Sequence, residues 1–192
     1  MSKTVLSSDW HLNHDVEFVW KVRGFSNVKE MNEAIIERHN SVADPEDEVY
    51  LLGDICLGGG SEEILAENKA LIERANGRIH IILGNHDSPR RVEMYKSCAN
   101  VVEVVEAKRL EYNKYHFFMT HWPCVTANLE KEALRQCMIG LYGHTHQNDS
   151  SFYNGLPFVY HVGVDSHNCY PVVLDDAIEE MKQKVKECKE QL

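Results

Sequence analysis

The 192 residues carry 20 Lys and Arg against 30 Asp and Glu, a formal net charge of −10, with 43% hydrophobic and 26% charged residues. That balance fits a soluble globular chain with one sizeable core, and its acidity argues against a general polyanion-binding surface, which would neutralise phosphates with clustered Lys and Arg. No apolar run approaches the roughly 20 residues of a membrane span, the polar opening MSKTVLSSDW does not read as a secretory signal, and the six cysteines form no CxxC pair. The expectation is a single domain over residues 1–192, cytoplasmic, with reduced thiols and no membrane partner.

Thr4 to Ser8 reads as a first strand that runs into Asp9, Trp10 and His11. In extended backbone, residues i and i+2 project to the same side, so Asp9 and His11 can grip one ion together. His14 follows close enough to reach the same mouth. Val16 to Phe25 reads as an irregular loop with some helical turn, packed down by Trp20 and Phe25. Asn27 then opens a helix through a capping box with Glu30, with Val28, Met31, Ile35 and Val42 as its apolar stripe. Glu48 to Leu52 is a second buried strand, and it stops at Gly53 and Asp54.

The glycines at 58–60 match no P-loop, because no Gly-Lys-Ser/Thr follows. Ser61 caps a helix with an inward face of Ile64, Leu65, Leu71 and Ile72, ended by Gly77. A third strand, Arg78 to Leu83, runs into Gly84, Asn85, His86 and Asp87, so the first half reads β, α, β, α, β. In open α/β sheets ligands sit beyond the carboxyl ends of such strands. Arg90 and Arg91 lie on a short basic helix opened by Pro89. Strands follow at Val101 to Glu106, Lys108 to Tyr112 and Tyr115 to Thr120, the last two a hairpin turned at Asn113 and Lys114. The last of these leads into His121 and Trp122. A modest helical pattern over 126–135 precedes the strand Met138 to Tyr142, which ends on Gly143, His144, Thr145 and His146. Closing strands at Phe158 to Val164 and Tyr170 to Leu174 precede a final helix capped by Asp175 or Asp176, with Ile178, Met181, Val185, Cys188 and Leu192 along one face.

Five strand ends thus deliver Asp9, His11, Asp54, Asn85, His86, His121, His144 and His146. Five of the eleven histidines fall in these segments, too concentrated for turn chemistry alone. Mixed carboxylate, imidazole and amide donors suit borderline divalent metals such as Mn²⁺, Fe²⁺, Zn²⁺ or Ni²⁺. Eight groups exceed what one tetrahedral ion requires.

Taken in order, D-x-H, G-D, G-N-H-D, H and G-H-T-H resemble the calcineurin-like metallophosphoesterases over essentially the whole chain. The resemblance implies an α/β fold, a four-layer α/β/β/α sandwich of two mixed sheets flanked by helices. It implies two divalent metal ions, Mn²⁺ by expectation with Fe, Zn or Ni as alternatives. Asp9, His11, Asp54 and His146 would hold the first and Asp54, Asn85, His121 and His144 the second, with Asp54 as the bridge. His86 would be a catalytic non-ligand beside the metals, with Asp87 as its orienting partner, and a metal-bridging hydroxide would attack phosphorus in line.

Where phosphoprotein phosphatases carry Asp-Arg-Gly after G-D and Glu after G-N-H, this chain has Ile55, Cys56, Leu57 and Asp87, which disfavours protein phosphatase activity. The opening S-D-W-H-L-N-H, the R-G-F-S-N-V-K-E-M-N-E helix entry and the late V-G-V-D resemble a compact bacterial and phage group, whose aromatic is replaced here by His167. The implied activity is a phosphodiesterase on a small nucleotide or related phosphodiester, with His14, Arg23, Arg90 and Trp122 around the substrate. Phosphomonoesterase and nuclease activity are the alternatives within the enzyme reading, although the charge does not point to nucleic acid. A scaffold that keeps the fold is the alternative outside it. The oligomeric state is not legible.

Overall fold

A computed structural model describes residues 2–126 and 133–190. Strands β1 (Thr4–Ser7), β2 (Glu48–Leu52), β3 (Arg78–Ile82) and β4 (Val101–Val105) run parallel, and β9 (Val172–Val173) closes the other edge antiparallel, in the order β4-β3-β2-β1-β9. A second sheet has the order β5-β6-β7-β8, from β5 (Lys108–Tyr112), β6 (Tyr115–Met119), β7 (Met138–Tyr142) and β8 (Val159–His161). Here β5 is antiparallel to β6, and the remaining pairs are parallel. The β5–β6 hairpin turns on Asn113 (φ 50°) and Lys114 (φ 66°), the left-handed pair that a two-residue turn of matching twist requires.

Strand alternation sorts the core into two. Val5, Val49, Leu51, Ile79 and Ile81 face helices α2 (Val28–Val42), α3 (Glu62–Glu73) and α4 (Pro89–Lys96), meeting Met31, Ile35, Ile72 and Tyr95. Leu6, Tyr50, Leu52 and Ile82 point the opposite way, onto Phe117, Met119, Ile139, Leu141 and Tyr160 of the second sheet. Helix α5 (Leu174–Glu190) adds Leu174, Ala177, Ile178 and Met181 to this second cluster. Two mixed sheets flanked by helices result, as the motifs imply. No helix among the described residues is long and apolar enough to cross a membrane.

The helical turn read after His14 is a single turn, α1 (Glu17–Trp20), and several other local expectations are corrected. Asn27 caps α2 by accepting from the Glu30 N–H at 3.0 Å, but Glu30 reaches back to the Ser26 N–H at 2.8 Å, one residue before the cap. Helix α5 begins at Leu174, so Asp175 and Asp176 sit in its first turn, where carboxylates meet the positive end of the helix dipole. The pattern read over 126–135 falls largely on residues 127–132, outside the described ones, as does Leu192; a 3-10 turn at Leu134–Gln136 follows. The closing strands are shorter than read: after β8 the chain crosses back to the first sheet through a bridge between Gly163 and Ser8.

Candidate functional site

Strands β1, β2 and β3 of one sheet and β6 and β7 of the other end side by side, and every motif residue follows one of these ends. The backbone there turns left-handed: Asp9 (φ 58°), His11 (φ 52°), Asp54 (φ 55°), His144 (φ 69°) and His146 (φ 48°) all adopt it. Each such non-glycine residue costs roughly 1–3 kcal/mol, strain that clusters where side chains must be aimed. Asp9 and His11 therefore converge, but not through extended backbone. Their N–H groups donate to Gly53 O (3.0 Å) and Asp54 O (3.1 Å), which ties the exit of β1 to the exit of β2. The preceding glycines are required by close approach: a Cβ on Gly84 would overlap Asp54, and one on Gly143 would overlap Ser8 Oγ and Asp9 Oδ2.

Donor atoms gather in two groups. Asp9, His11 and His146 offer ligand atoms within 4.8 Å of one another, as do Asp54, His121 and His144. Asn85, exposed at the tip of its loop, joins the second group through Oδ1, 3.1 Å from His121 Nε2. Asp54 Oδ2 faces both groups, 3.9 Å from His11 Nε2 and 3.3 Å from His121 Nε2. His86 Nε2 stands 3.9 Å from the same oxygen, its ring 45% exposed, while its N–H donates to Asp54 Oδ1 at 2.9 Å.

The donor set fits divalent metal ions. His11 Nε2 is buried without a hydrogen-bond partner. His121 Nδ1 donates to Leu52 O at 2.7 Å, which leaves its Nε2 lone pair aimed at the second group, 3.2 Å from His144 Nδ1. An outer acceptor that fixes the imidazole tautomer is the usual support of a metal-binding histidine. His146 is held the same way, its Nδ1 2.7 Å from Asp165 Oδ2.

Electrostatics differ from donor to donor. Burial, then the Arg23 charge, pushes the His11 imidazole down to about 2, so it stays neutral with its lone pair available. Burial raises the Asp9 carboxyl despite the pull of His146 and His121. Asp54 feels the same burial, but the hydrogen bond and charge of His121 outweigh it and hold this carboxyl at about 2. Asp54 and Asp9 in turn raise the His121 pKa against its burial, so without metal His121 Nε2 carries a proton that a bound ion would displace. Asp165 raises the His146 pKa by its hydrogen bond, against burial.

Three sequence expectations change place. Arg23 is not on the substrate side: its side chain is 3% exposed, binds Asp165 through Nε (2.8 Å) and Nη2 (3.1 Å), and donates to Asp9 O (2.8 Å) and Trp10 O (3.0 Å). Arg90 is exposed and paired with Glu62. Asp87 does not bond the His86 ring; its Oδ2 accepts from Asp54 N (3.0 Å) and Gly84 N (2.7 Å), and its Oδ1 from Tyr95 OH (2.7 Å). It positions the backbone of Asp54. His14 and Trp122 stand beside the donor groups: His14 Nδ1 is 3.0 Å from His11 Nδ1, and the Trp122 ring stands edge-on to His121 at 5.4 Å.

Sequence reasoning missed Asp165, Ser8 and the role of Arg91. Ser8 Oγ donates within 2.6 Å of Asp9 Oδ2, and Arg91 Nη1 donates to His86 O at 2.6 Å. Asp165 stands in the V-G-V-D segment already singled out, and its acidity beside a strand exit was the available signal.

The calcineurin-like phosphoesterase superfamily domain matches residues 3–163. An uncharacterized protein of Methanocaldococcus jannaschii is 34% identical over 181 residues, covering 91% of this chain and 89% of that one. The gene 66 protein of a Mycobacterium phage is 28% identical over 160 residues, covering 74% and 78%. A solved protein of unknown function from Aquifex aeolicus shares the fold, with a TM-score of 0.69 at 20% identity over 93% of this chain and 99% of that one. With the motif order, the donor groups and a family match over most of its length, the chain belongs to the calcineurin-like phosphoesterase superfamily.

Proposed function

We propose that this protein is a metal-dependent hydrolase of phosphoester bonds, a phosphodiesterase on a small nucleotide or related phosphodiester, with a dinuclear centre that takes Mn²⁺, or Fe, Zn or Ni in its place. The observation that carries the reading is Asp54 Oδ2, one carboxylate oxygen facing His11 of one donor group and His121 of the other. Asp9, His11, Asp54 and His146 would hold one ion, and Asp54, Asn85, His121 and His144 the other. Two divalent ions supply Lewis acidity toward phosphoryl oxygens and lower the pKa of water.

The chain's own residues do the rest. His86, exposed beside Asp54, meets the phosphoryl group and gives a proton to the departing oxygen. Arg91 fixes the carbonyl of His86, and Asp87 fixes the N–H of Asp54, so acid and bridge keep their separation. His14 and Trp122 shape the entrance. The acidic surface favours a small substrate over a polynucleotide. Six cysteines with no CxxC pair, four of them buried, suit a reducing, cytoplasmic setting.

The test compares metal-stripped wild type with His86→Asn on bis-p-nitrophenyl phosphate and p-nitrophenyl phosphate as Mn²⁺ is restored. Wild type is expected to regain turnover with the diester preferred. The variant is expected to bind Mn²⁺ as wild type does and to lose about 10²–10⁴-fold in turnover, the usual worth of a general acid. Monoester preference would move the reading to a phosphomonoesterase. No turnover of either substrate with Mn²⁺, Zn²⁺, Ni²⁺ or Fe²⁺ would overturn it.

A further inference from the structure

Six large apolar side chains are exposed among the described residues: Phe18 (72%), Val22 (71%), Val125 (52%), Val102 (45%), Tyr170 (45%) and Trp122 (39%). Two have local reasons. The Arg38 guanidinium lies over Tyr170 at 5.4 Å, and Val102 belongs to the edge strand β4. The other four fall in two short segments that leave the site histidines, Phe18 and Val22 after His14, Trp122 and Val125 after His121.

Both aromatics stand edge-on to the site. The Phe18 ring is 6.3 Å from that of His14 at 81°, and His14 bonds His11 of the first donor group. Trp122 is 5.4 Å from His121 at 82° and 6.4 Å from His144, both of the second group. Helix α1, which carries Phe18, has no buried residue, so this ring serves no core. Exposed apolar surface gathered beside a polar site marks a binding surface.

Resting on the phosphodiesterase reading, we infer that Phe18 and Trp122 are specificity walls that stack the planar organic groups of the diester, the nucleobase of a mononucleoside phosphodiester foremost. A diester has an organic group on each side of phosphorus, and one wall stands beyond each donor group. Val22 and Val125, exposed in the same two segments, have no side-chain hydrogen-bonding groups, so recognition is through the π-face and tolerant of base identity.

Two esters with the same leaving group test this, methyl p-nitrophenyl phosphate and the p-nitrophenyl ester of thymidine 5′-monophosphate, each with the Mn²⁺-loaded full chain. Wild type is expected to favour the thymidine ester by about tenfold in kcat/KM, ~1.4 kcal/mol of stacking. The Phe18→Ala/Trp122→Ala variant is expected to lose that preference, Phe18→Ala alone to reduce it, and Phe18→Trp to keep it. Titration with Mn²⁺ and sedimentation accompany each variant. A wild type that cleaves both esters alike, or a double variant that loses both equally and keeps the preference, overturns the inference alone. So does a wild-type dimer that the double variant converts to monomer, which would make the walls a seam between two copies. A wild type that cleaves neither ester overturns the phosphodiesterase reading and this inference with it.

Discussion

The two donor groups are each built on one carboxylate and two imidazoles and are braced by different means. In the first, side-chain charge does the bracing: Arg23 grips Asp165, Asp165 holds His146, and the same guanidinium fixes the carbonyl of Asp9. In the second, the outer imidazole nitrogen of His121 leans on a backbone carbonyl, Leu52 O, while the Asp87 carboxylate holds the Asp54 N–H. A carboxylate that orients an imidazole is removed by one substitution, whereas a backbone acceptor persists as long as its strand pairs. The groups should therefore respond differently to substitution.

The largest effect is expected where they join. Asp54→Asn removes the oxygen that faces both groups and is predicted to lower diester turnover by about three orders of magnitude, ~4 kcal/mol of barrier. Calorimetric titration with Mn²⁺ should show fewer than two ions bound. Two ions held at wild-type affinity would separate the groups into independent sites and break the comparison. Asp165→Asn comes next. The amide keeps an acceptor for His146 but drops the charge that binds Arg23, and loss of such an outer partner typically weakens metal affinity 10–100-fold. One of the two Mn²⁺ affinities should fall by that factor while the other holds. A fall shared equally by both would show that the bracing is common to the whole centre.

What the sequence could reveal follows the same division. Strand, glycine, then carboxylate or imidazole is contiguous, so the strand ends and the residues they deliver were legible, as was the order of β and α elements up to β3. The reason given for Asp9 and His11 was not the operating one: the i, i+2 pair works from two left-handed residues tied to β2, and no local pattern announces that. Arg23 and Asp165 lie 142 positions apart, so their pairing is a product of the fold, and Arg23 alone read as a substrate contact. Asp87 was placed beside His86 because they are neighbours in sequence, whereas its oxygens bond backbone N–H groups, which carry no residue-type signature. The exposed Phe18 was invisible for a further reason: only the packed α1 turn tells a solvent-facing aromatic from a buried one.

The smallest predicted effect lies behind the first group and concerns stability instead of turnover. His161 is fully buried, its Nε2 has no hydrogen-bond partner, and a Cβ on Gly163 would meet both this imidazole and Asp9 Oδ2. Burial, helped by the nearby His167, pushes its pKa down to about 3. An unfolded chain takes up that proton near the ordinary histidine value of about 6.5. Between those two values the unfolded state binds more protons than the folded one, so stability rises with pH through the window and is lost as pH falls. One such group contributes a slope of up to ~1.4 kcal/mol per pH unit. Urea unfolding of metal-free protein at pH 7 and pH 5 should therefore show a smaller loss of stability for His161→Gln than for wild type. An unchanged slope would move the acid sensitivity to the other imidazoles that burial pushes down, His11 of the first donor group foremost.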